Sequence, residues 1–166
     1  MAKILGVHDK YPSVNTWTTF TMIIGADTTA PTRGTVAYEQ ARWRRVGDSV
    51  EIEFRYRQTT AGTAGSGNYY YDITNAGLPS FDLTKLDADF NYSGFTGPAQ
   101  ITIGSSANQN SAGAVLVRTG SRLGLNMVNA DGTSSTQAGG AYTFNNANMR
   151  VFFRAIVPIS GWTVTE

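Results

Sequence analysis

Residues 50–57 alternate strictly between apolar and charged side chains. Val50, Ile52, Phe54 and Tyr56 are the apolar positions, and glutamate or arginine occupies every position between and after them. Because successive side chains of a strand point to opposite faces, this period of two predicts a half-buried β-strand. The segment therefore favours an antiparallel sheet with one face against a core and the other facing outward.

A two-residue turn at Gly47-Asp48 is predicted to join this strand to the one before it. Glycine supplies the positive φ that a type II′ turn needs at its first central position. The turn fixes the register: Trp43 meets Ile52 and Ala41 meets Phe54 on the core side, whereas Arg44 faces Glu51 and Arg42 faces Glu53 on the outer surface. Burial of a large apolar side chain contributes about 1.5–3 kcal/mol and an exposed charge pair only about 0.2–1 kcal/mol, so the apolar face sets this register.

A second hairpin is indicated by Thr119-Gly120-Ser121, which separates two apolar stretches at residues 114–117 and 123–127. A two-residue turn centred on either Thr119-Gly120 or Gly120-Ser121 places three leucines on one face. They are Leu116, Leu123 and Leu125. This hairpin is therefore predicted to add two more strands to the sheet.

Residues 150–157 alternate in the same way as residues 50–57. One face carries Val151, Phe153, Ala155 and Val157, and the other carries Arg150, Phe152, Arg154 and Ile156. The second face mixes apolar and charged side chains. Two interpretations remain open for Phe152 and Ile156, either contact with a neighbouring subunit or a central strand that is covered on both sides.

The whole chain has the composition of strands joined by tight turns, with 18 glycines and only 15% charged residues. Further strands are predicted at residues 16–24, 68–73, 100–103 and 141–144, and turn-rich segments at 61–67 and 129–140. The single helical signal, at residues 83–90, is too short to change the class. We therefore predict an all-β fold, an antiparallel β-sandwich of jelly-roll-like type with about eight strands, as one domain over residues 16–166 after an N-terminal arm at residues 1–15.

The sequence offers few residues for catalysis or metal binding. His8 is the only histidine and cysteine is absent, so Ser-His-Asp catalysis, thiolate chemistry and multi-histidine sites lack their parts. The glycine-rich run at 62–67 has no Walker lysine and is interpreted as a flexible loop. The calcium-like run that begins at Asp87 has Tyr92 and Pro98 where such a loop needs glycine and glutamate. We expect no enzyme activity, no cofactor and no metal site.

Four tyrosines allow two interpretations. Tyr69, Tyr70, Tyr71 and Tyr92 lie among asparagine and glycine, where aromatic faces can bind sugar rings. Alternation sends Tyr69 and Tyr71 to one face of a strand and Tyr70 to the other, which is ordinary for a sandwich strand. Core packing is therefore the favoured interpretation, with sugar binding as the alternative.

The formal net charge of +1 provides no uniform field that attracts nucleic acid or an anionic membrane. No stretch approaches the roughly 20 apolar residues of a membrane span, and the first residues do not have the pattern of a cleaved signal peptide. We therefore expect no nucleic-acid or membrane partner, and recognition of other partners by local shape.

Several stretches together carry a family resemblance. They are APTRGT at residues 30–35, ARWRRVGDSVEI at 41–52, YRQT at 56–59 leading into the run at 61–67, and VPISGW at 157–162. This set resembles a family of phage-encoded virion proteins, which occur as small structural proteins or as the C-terminal heads of tail fibres. The resemblance covers the chain from about Trp17 onward. It implies a β-sandwich, commonly trimeric, that is displayed on a virion surface, and it supplies no catalytic residues.

Together with the missing catalytic residues and the mixed outer face of residues 150–157, the resemblance leads to the hypothesis of a capsid decoration or cement protein. Such a protein is a homotrimer that binds the major capsid protein at the virion surface after synthesis in the host cytoplasm, with Phe152 and Ile156 as candidate contact residues. The alternative is a tail-fibre or tail-tip head that binds a host surface glycan through Tyr70, Tyr92 or Trp162. Residues 1–15 contain no coiled-coil heptads, which favours the first reading, with the arm ordering on a capsid or on a neighbouring subunit.

Overall fold

The computed structural model describes residues 16–86, 95–103, 110–128, 134–136 and 143–163. These ranges hold ten β-strands and two short 3-10 turns, Thr74–Ala76 and Leu83–Lys85. In chain order the strands are β1 Thr18–Phe20, β2 Ile23–Ala26, β3 Val36–Val46, β4 Ser49–Gln58, β5 Tyr69–Asp72, β6 Phe95–Thr102, β7 Asn110–Val117, β8 Arg122–Val128, β9 Ser134–Thr136 and β10 Arg150–Pro158. The predicted all-β class is confirmed. There are more strands than expected because residues 16–24 contribute to both β1 and β2, and because β9 lies in a segment predicted as turns.

The strands form one curled antiparallel sheet in the order β1-β3-β4-β10-β6-β7-β8-β5-β2, and β9 also pairs with β8. Strands β1 and β2 stand at opposite ends of this order, although only Thr21 and Met22 separate them in the chain. The three Cα steps from Phe20 to Ile23 span at most about 11 Å. The two ends of the sheet therefore lie close together, and the sheet curls around its core.

Aromatic rings fill the interior of the curled sheet. Phe54 on β4, Tyr71 on β5 and Phe153 on β10 are fully buried, and their ring centroids lie 5.1–5.6 Å apart. Strands β4 and β10 are neighbours, whereas β5 lies four places further along the sheet. These contacts therefore cross the core, and they show that the predicted inward faces of β4 and β10 are the buried ones.

The hairpin of β3 and β4 has the predicted register. Trp43 lies opposite Ile52 and Ala41 opposite Phe54, and all four side chains are buried. Gly47 has a φ of 62°, while the residue that follows it has no positive φ. That combination identifies a type II′ turn, because type I′ needs a positive φ at both central positions.

The hairpin of β7 and β8 differs from the prediction by one residue. Leu116 pairs with Gly124 and so does not share a face with Leu123 and Leu125. The reason is that all three residues of Thr119–Ser121 lie in the loop, where a two-residue turn was expected. One extra loop residue shifts the register by one position, so the side chain of Leu116 lies on the opposite face from Leu123 and Leu125. The prediction that the three leucines share a face is wrong.

The glycine-rich run at 62–67, predicted as a flexible loop, is paired with residues 28–35. The Thr63 N–H donates to the Thr32 carbonyl at 3.0 Å, and isolated bridges join the two segments at two places. A Cβ at Gly62 would lie 2.0 Å from the Thr32 carbonyl oxygen. Glycine is required here because the two backbones approach closely, so the interpretation as a free loop is wrong.

Some predictions concern residues that lie outside the described ranges. They include the N-terminal arm at 1–15 with His8, the first residues of the calcium-like run with Tyr92, and residues 141 and 142 of one predicted strand. Of the helical signal at 83–90, only a single 3-10 turn at Leu83–Lys85 falls within the described part. Thr143 and Phe144 are described and are not in a strand.

Candidate interaction surface

The outward sides of β3, β4 and β10 form one continuous surface, which we call the arginine face. Strand β4 lies between β3 and β10, so residues in register form rows across the three strands. The four rows are Tyr38–Arg57–Arg150, Gln40–Arg55–Phe152, Arg42–Glu53–Arg154 and Arg44–Glu51–Ile156. The face therefore carries six arginines against two glutamates, on a chain whose net charge is only +1.

At one end of this face, which we call the ion-paired end, each glutamate has two arginine partners. Arg44 and Arg154 both contact the Glu51 carboxylate, one from each neighbouring strand. Nη2 of Arg42, on β3, lies 2.8 Å from Oε1 of Glu53. Nε of Arg55, on the same strand as Glu53, lies 3.0 Å from that oxygen. At this end the two carboxylates thus lie on the middle strand, β4, and guanidinium groups surround them.

The two glutamates are buried, although the sequence predicted them on an exposed outer surface. Glu51 is 1% exposed and Glu53 is 6% exposed. The predicted partners Arg44 and Arg42 are present. Each carboxylate also has a second arginine, Arg154 for Glu51 and Arg55 for Glu53. A buried carboxylate depends far more on its partners than an exposed one, because the loss of a partner leaves an uncompensated charge away from water.

Trp17 adds a further layer over the ion-paired end. The guanidinium carbons of Arg42 and Arg44 lie 4.5 Å and 4.8 Å from the centroid of its ring. An aromatic ring attracts a cation placed over its face, and the interaction holds the guanidinium group in position. Trp17 therefore helps to orient the two arginines of β3 toward the glutamates.

At the other end of the face, which we call the unpaired end, Arg57 lies directly opposite Arg150. Both side chains are exposed. Within the described ranges, no acidic side chain lies within 4.0 Å of either guanidinium group. Like charges placed directly opposite each other on adjacent strands repel. This end of the face thus holds two positive charges that no described acidic side chain neutralises.

Gln58 holds the two strands of the unpaired end together. Its side-chain amide donates to the carbonyls of Phe144 and Asn146, each at 2.7 Å, just before β10 begins. Its side-chain carbonyl accepts from the Tyr56 hydroxyl at 2.8 Å. Burial raises the pKa of Tyr56 to about 12, so this phenol remains a donor at neutral pH. The Arg57–Arg150 juxtaposition therefore rests on a buried and satisfied hydrogen-bond network.

An open depression of about 620 Å³ lies at the unpaired end. Its lining includes Ala37, Tyr38, Arg55, Arg57, Arg150 and Phe152. Tyr38 is 47% exposed, and its hydroxyl donates to Gln40 at 3.1 Å. The guanidinium carbon of Arg55 lies 5.7 Å from the ring centroid of Phe152. The depression thus combines two guanidinium groups that have no acidic partner among the described residues with the aromatic side chains of Tyr38 and Phe152.

The structure brings together two of the predicted contact residues. Phe152 is half-buried and Ile156 is 48% exposed, and both lie on the arginine face. Strand β10 is a central strand, as one of the two interpretations required, but no described element covers its outer face at Ile156. The other interpretation, contact with a neighbouring subunit, stays a prediction.

The residues predicted for glycan binding lie elsewhere in the molecule. The ring of Tyr70 lies against Gly25 and has the Arg122 guanidinium carbon 4.1 Å from its centroid. Trp162 is 5% exposed, and Tyr92 is outside the described ranges. A sugar-binding aromatic needs an open ring face. Glycan binding through Tyr70, Tyr92 or Trp162 stays a prediction. The favoured interpretation of Tyr69 and Tyr71 as core residues is confirmed.

Two of the motifs that carry the family resemblance meet at one corner of the sheet. The rings of Trp43 and Trp162 lie 6.4 Å apart, and the guanidinium carbon of Arg45 lies 4.7 Å from the Trp162 centroid. The backbone N–H of Ile159 donates to the carbonyl of Asp48 at 3.1 Å. The arginine-tryptophan hairpin and the Pro-Ile-Ser-Gly-Trp segment therefore form one packed unit next to the ion-paired end.

Sequence reasoning did not identify Tyr38, Arg57 and Arg150 as site residues. The alternation placed Arg57 and Arg150 on outward faces, but nothing in the sequence placed β10 beside β4 or set the register between them. The sequence showed only that each of these arginines is an outward residue of a clearly alternating segment. That observation identifies a site only when the order of the strands in the sheet is known.

No helix within the described ranges has both the length and the apolar character needed to cross a membrane. In the same part of the chain, no three or more histidine, aspartate or glutamate side chains are grouped so that they could hold a metal ion. The chain matched no protein-family model, no curated protein and no solved structure.

Proposed function

We propose that the chain is a structural protein of a phage virion, a capsid decoration or cement protein that binds the major capsid protein and stabilises the head lattice. The observation that carries this proposal is the arginine face. It is a surface of three long strands that no described strand covers, and on it exposed Tyr38 and Ile156 lie among six arginines. Arginine and aromatic residues are enriched where proteins bind each other, so the face suits a protein-binding role.

The resemblance to phage virion proteins supports the same proposal. Its arginine-tryptophan hairpin supplies Arg42 and Arg44 to the arginine face, and its terminal Pro-Ile-Ser-Gly-Trp segment packs against that hairpin through Trp162. The residues that carry the resemblance thus support and border the proposed docking surface. A decoration protein needs such a surface to be rigid, and strands held by cross-strand pairs supply that rigidity.

We further propose that the curled sheet is a variant of the jelly-roll sandwich and that the chain assembles as a homotrimer. The contacts of Phe54 and Phe153 with Tyr71 across the core are of the kind that join the two layers of a sandwich. Light scattering of the purified protein tests the trimer. A mass of three chains is expected, and the mass of a single chain at micromolar concentration would contradict it.

Quantitative mass spectrometry of purified virions tests the function. A decoration protein occupies many equivalent lattice positions, so we expect on the order of hundreds of copies per particle, in proportion to the major capsid protein. Single or low double-digit numbers of copies would instead place the chain in the tail, as the alternative predicts. Absence of the chain from washed particles would refute both locations.

A further inference from the structure

We infer that the unpaired end of the arginine face is a binding site for protein carboxylates, so that the docking partner presents one or two acidic side chains flanked by apolar ones. The identity of the partner as a capsid subunit rests on the proposed function, whereas the chemistry of the site rests on the arginines themselves. Arg57 and Arg150 lie opposite each other on neighbouring strands. Directly opposed side chains have Cβ atoms about 4.5–5.5 Å apart, a spacing at which one carboxylate or a pair of them reaches both guanidinium groups.

The other arginines of the face indicate which kind of charge is missing. Arg42, Arg44, Arg55 and Arg154 each contact Glu51 or Glu53. Of the six arginines of the face, only Arg57 and Arg150 lack an acidic partner in the described part of the chain. A guanidinium group binds a carboxylate through a planar, bidentate pair of hydrogen bonds. An acidic side chain from outside would thus complete the same arrangement that the chain builds for itself at the ion-paired end.

The surroundings of the two arginines suit a protein surface. Tyr38 and Phe152 line the depression beside them, and tyrosine and arginine are among the residues that contribute most binding energy at protein interfaces. Apolar contact around a charge pair excludes water and strengthens the pair. The partner is therefore expected to place apolar side chains next to its carboxylates.

The layout of charge disfavours a nucleic-acid strand. A phosphate backbone carries a charge at every nucleotide and needs an extended row of uncompensated cations. On this face, Arg42, Arg44, Arg55 and Arg154 each contact Glu51 or Glu53, and within the described ranges only Arg57 and Arg150 have no acidic partner. Two adjacent guanidinium groups match one or two carboxylates and not a long polyanion.

Nuclear magnetic resonance titration of the intact, ¹⁵N-labelled chain tests this site. The probe is the peptide acetyl-Leu-Glu-Glu-Phe-amide, and its control is the same peptide with glutamine in place of both glutamates. We expect saturable shifts of the amides at residues 37–40, 55–57 and 150–152 with the acidic peptide, and at least tenfold weaker binding of the glutamine peptide. The double variant R57Q/R150Q should weaken binding of the acidic peptide at least tenfold.

A matched double variant controls for total charge. K85Q/R122Q removes the same two positive charges from ion pairs that lie outside the arginine face, and its affinity for the acidic peptide should equal that of the parent chain. Equal weakening by both double variants would overturn the site, because it would show that net charge alone drives binding. Equal binding of both peptides would overturn it as well.

Parallel titrations with inorganic phosphate, glucuronate and a twelve-nucleotide oligothymidine test the class of ligand. Tighter binding of any of these at the same amides would overturn the assignment to protein carboxylates.

The proposed function and the binding site can be refuted independently of each other. If the peptide binds as expected but virions lack the chain, the function fails and the site stands. If virions carry hundreds of copies and R57Q/R150Q binds them as well as the parent chain does, the site fails and the function stands.

Discussion

The two ends of the arginine face use the same kind of side chain for different purposes. At the ion-paired end, the buried Glu51 pairs with arginines of both neighbouring strands, and the buried Glu53 pairs with Arg42 of β3 and Arg55 of its own strand. Trp17 lies over two of these arginines, Arg42 and Arg44. At the unpaired end, Arg57 and Arg150 face each other without an acidic partner in the described part of the chain. The pairing of β4 with β10 is continuous through both ends, whereas the register of β3 against β4 shifts between Val36 and Tyr38, at the unpaired end.

The difference lies in the residue that β4 places at the centre of each row. Each glutamate of β4 attracts two arginines, and the resulting ion-paired network stabilises the sheet. Arg57 of β4 instead lies opposite Arg150, so the two like charges repel and can accept a negative charge from outside. The ion-paired end therefore contributes stability, and the unpaired end is available for binding at a small cost in stability.

Removal of the partners of Glu51 should have the largest effect. In the double variant R44Q/R154Q a buried carboxylate loses both of its arginines, and we expect the free energy of unfolding to fall by about 3–5 kcal/mol. Urea denaturation at neutral pH measures it. The variant R57Q/R150Q removes the same charge from the other end and is the control. Equal losses of unfolding free energy in the two double variants would show that the two ends do not differ in their contribution to stability.

Trp17→Leu tests whether the ring over the arginines belongs to the ion-paired network. The substitution keeps an apolar side chain but removes the aromatic face from Arg42 and Arg44. Each contact contributes about 0.5–1 kcal/mol at an exposed position, so a loss of about 1–2 kcal/mol is expected. Trp17→Phe retains a ring and should lose less. If Trp17→Leu unfolds at the same urea concentration as the parent chain, Trp17 does not support the network.

Asp72 provides a second buried carboxylate with which Glu51 can be compared. It is 8% exposed, accepts hydrogen bonds from Thr74 and pairs with the partly exposed Arg122. Burial acts to raise the pKa of Asp72, but the hydrogen bonds from Thr74 and Arg122 outweigh it and hold that pKa below its usual value of 3.8. A lowered pKa in the folded state gives stability that is present above the usual value and is lost as the pH falls through the folded value.

The expected result is therefore a decline in stability as the pH falls below about 4, and a shallower decline in Asp72→Asn. At neutral pH that substitution should cost about 1 kcal/mol, less than the loss expected at Glu51. Urea denaturation midpoints of the parent chain and of Asp72→Asn, measured between pH 6 and pH 2.5, show how steeply the stability of each protein declines with pH. Parallel curves would show that Asp72 contributes nothing to the acid sensitivity.

Arg57→Glu is expected to have the smallest effect and the opposite sign. It replaces a repulsive cross-strand pair with an attractive one between residue 57 and Arg150, so stability should rise by about 0.2–1 kcal/mol. Binding of the acidic peptide should be lost in the same variant. A fall in stability would mean that the Arg57–Arg150 row is not under repulsion in the parent chain.

The β3–β4 hairpin was predictable residue by residue because its information is local. Gly47 supplies the turn, and the alternation from Val50 onward selects the face, so the turn and the pattern agree on one register. The β7–β8 hairpin lacked that agreement. A loop of three residues at Thr119–Ser121 and a loop of two are equally compatible with its sequence, and only the pairing of Leu116 with Gly124 distinguishes them.

The candidate site was predicted in part. Phe152 and Ile156 were recognised as outward apolar residues because the alternation of β10 is strong. Tyr70 and Trp162 were proposed for a surface role because both are amphipathic side chains, whose burial is not determined by residue type. Trp162 lies against Trp43 in the structure, a contact between residues far apart in the chain that no local pattern reveals.

Local sequence determined the all-β class, the inward faces of β4 and β10, and the register of the β3–β4 hairpin, because turns and side-chain alternation act over a few residues. Only the tertiary structure decided that β10 returns beside β4, where Arg154 reaches Glu51 across 103 residues of sequence. That pairing buries the glutamates and also sets Arg150 against Arg57. The physical reason is that pairing between distant strands is selected by closure of the whole core, to which every strand contributes and which no single segment encodes.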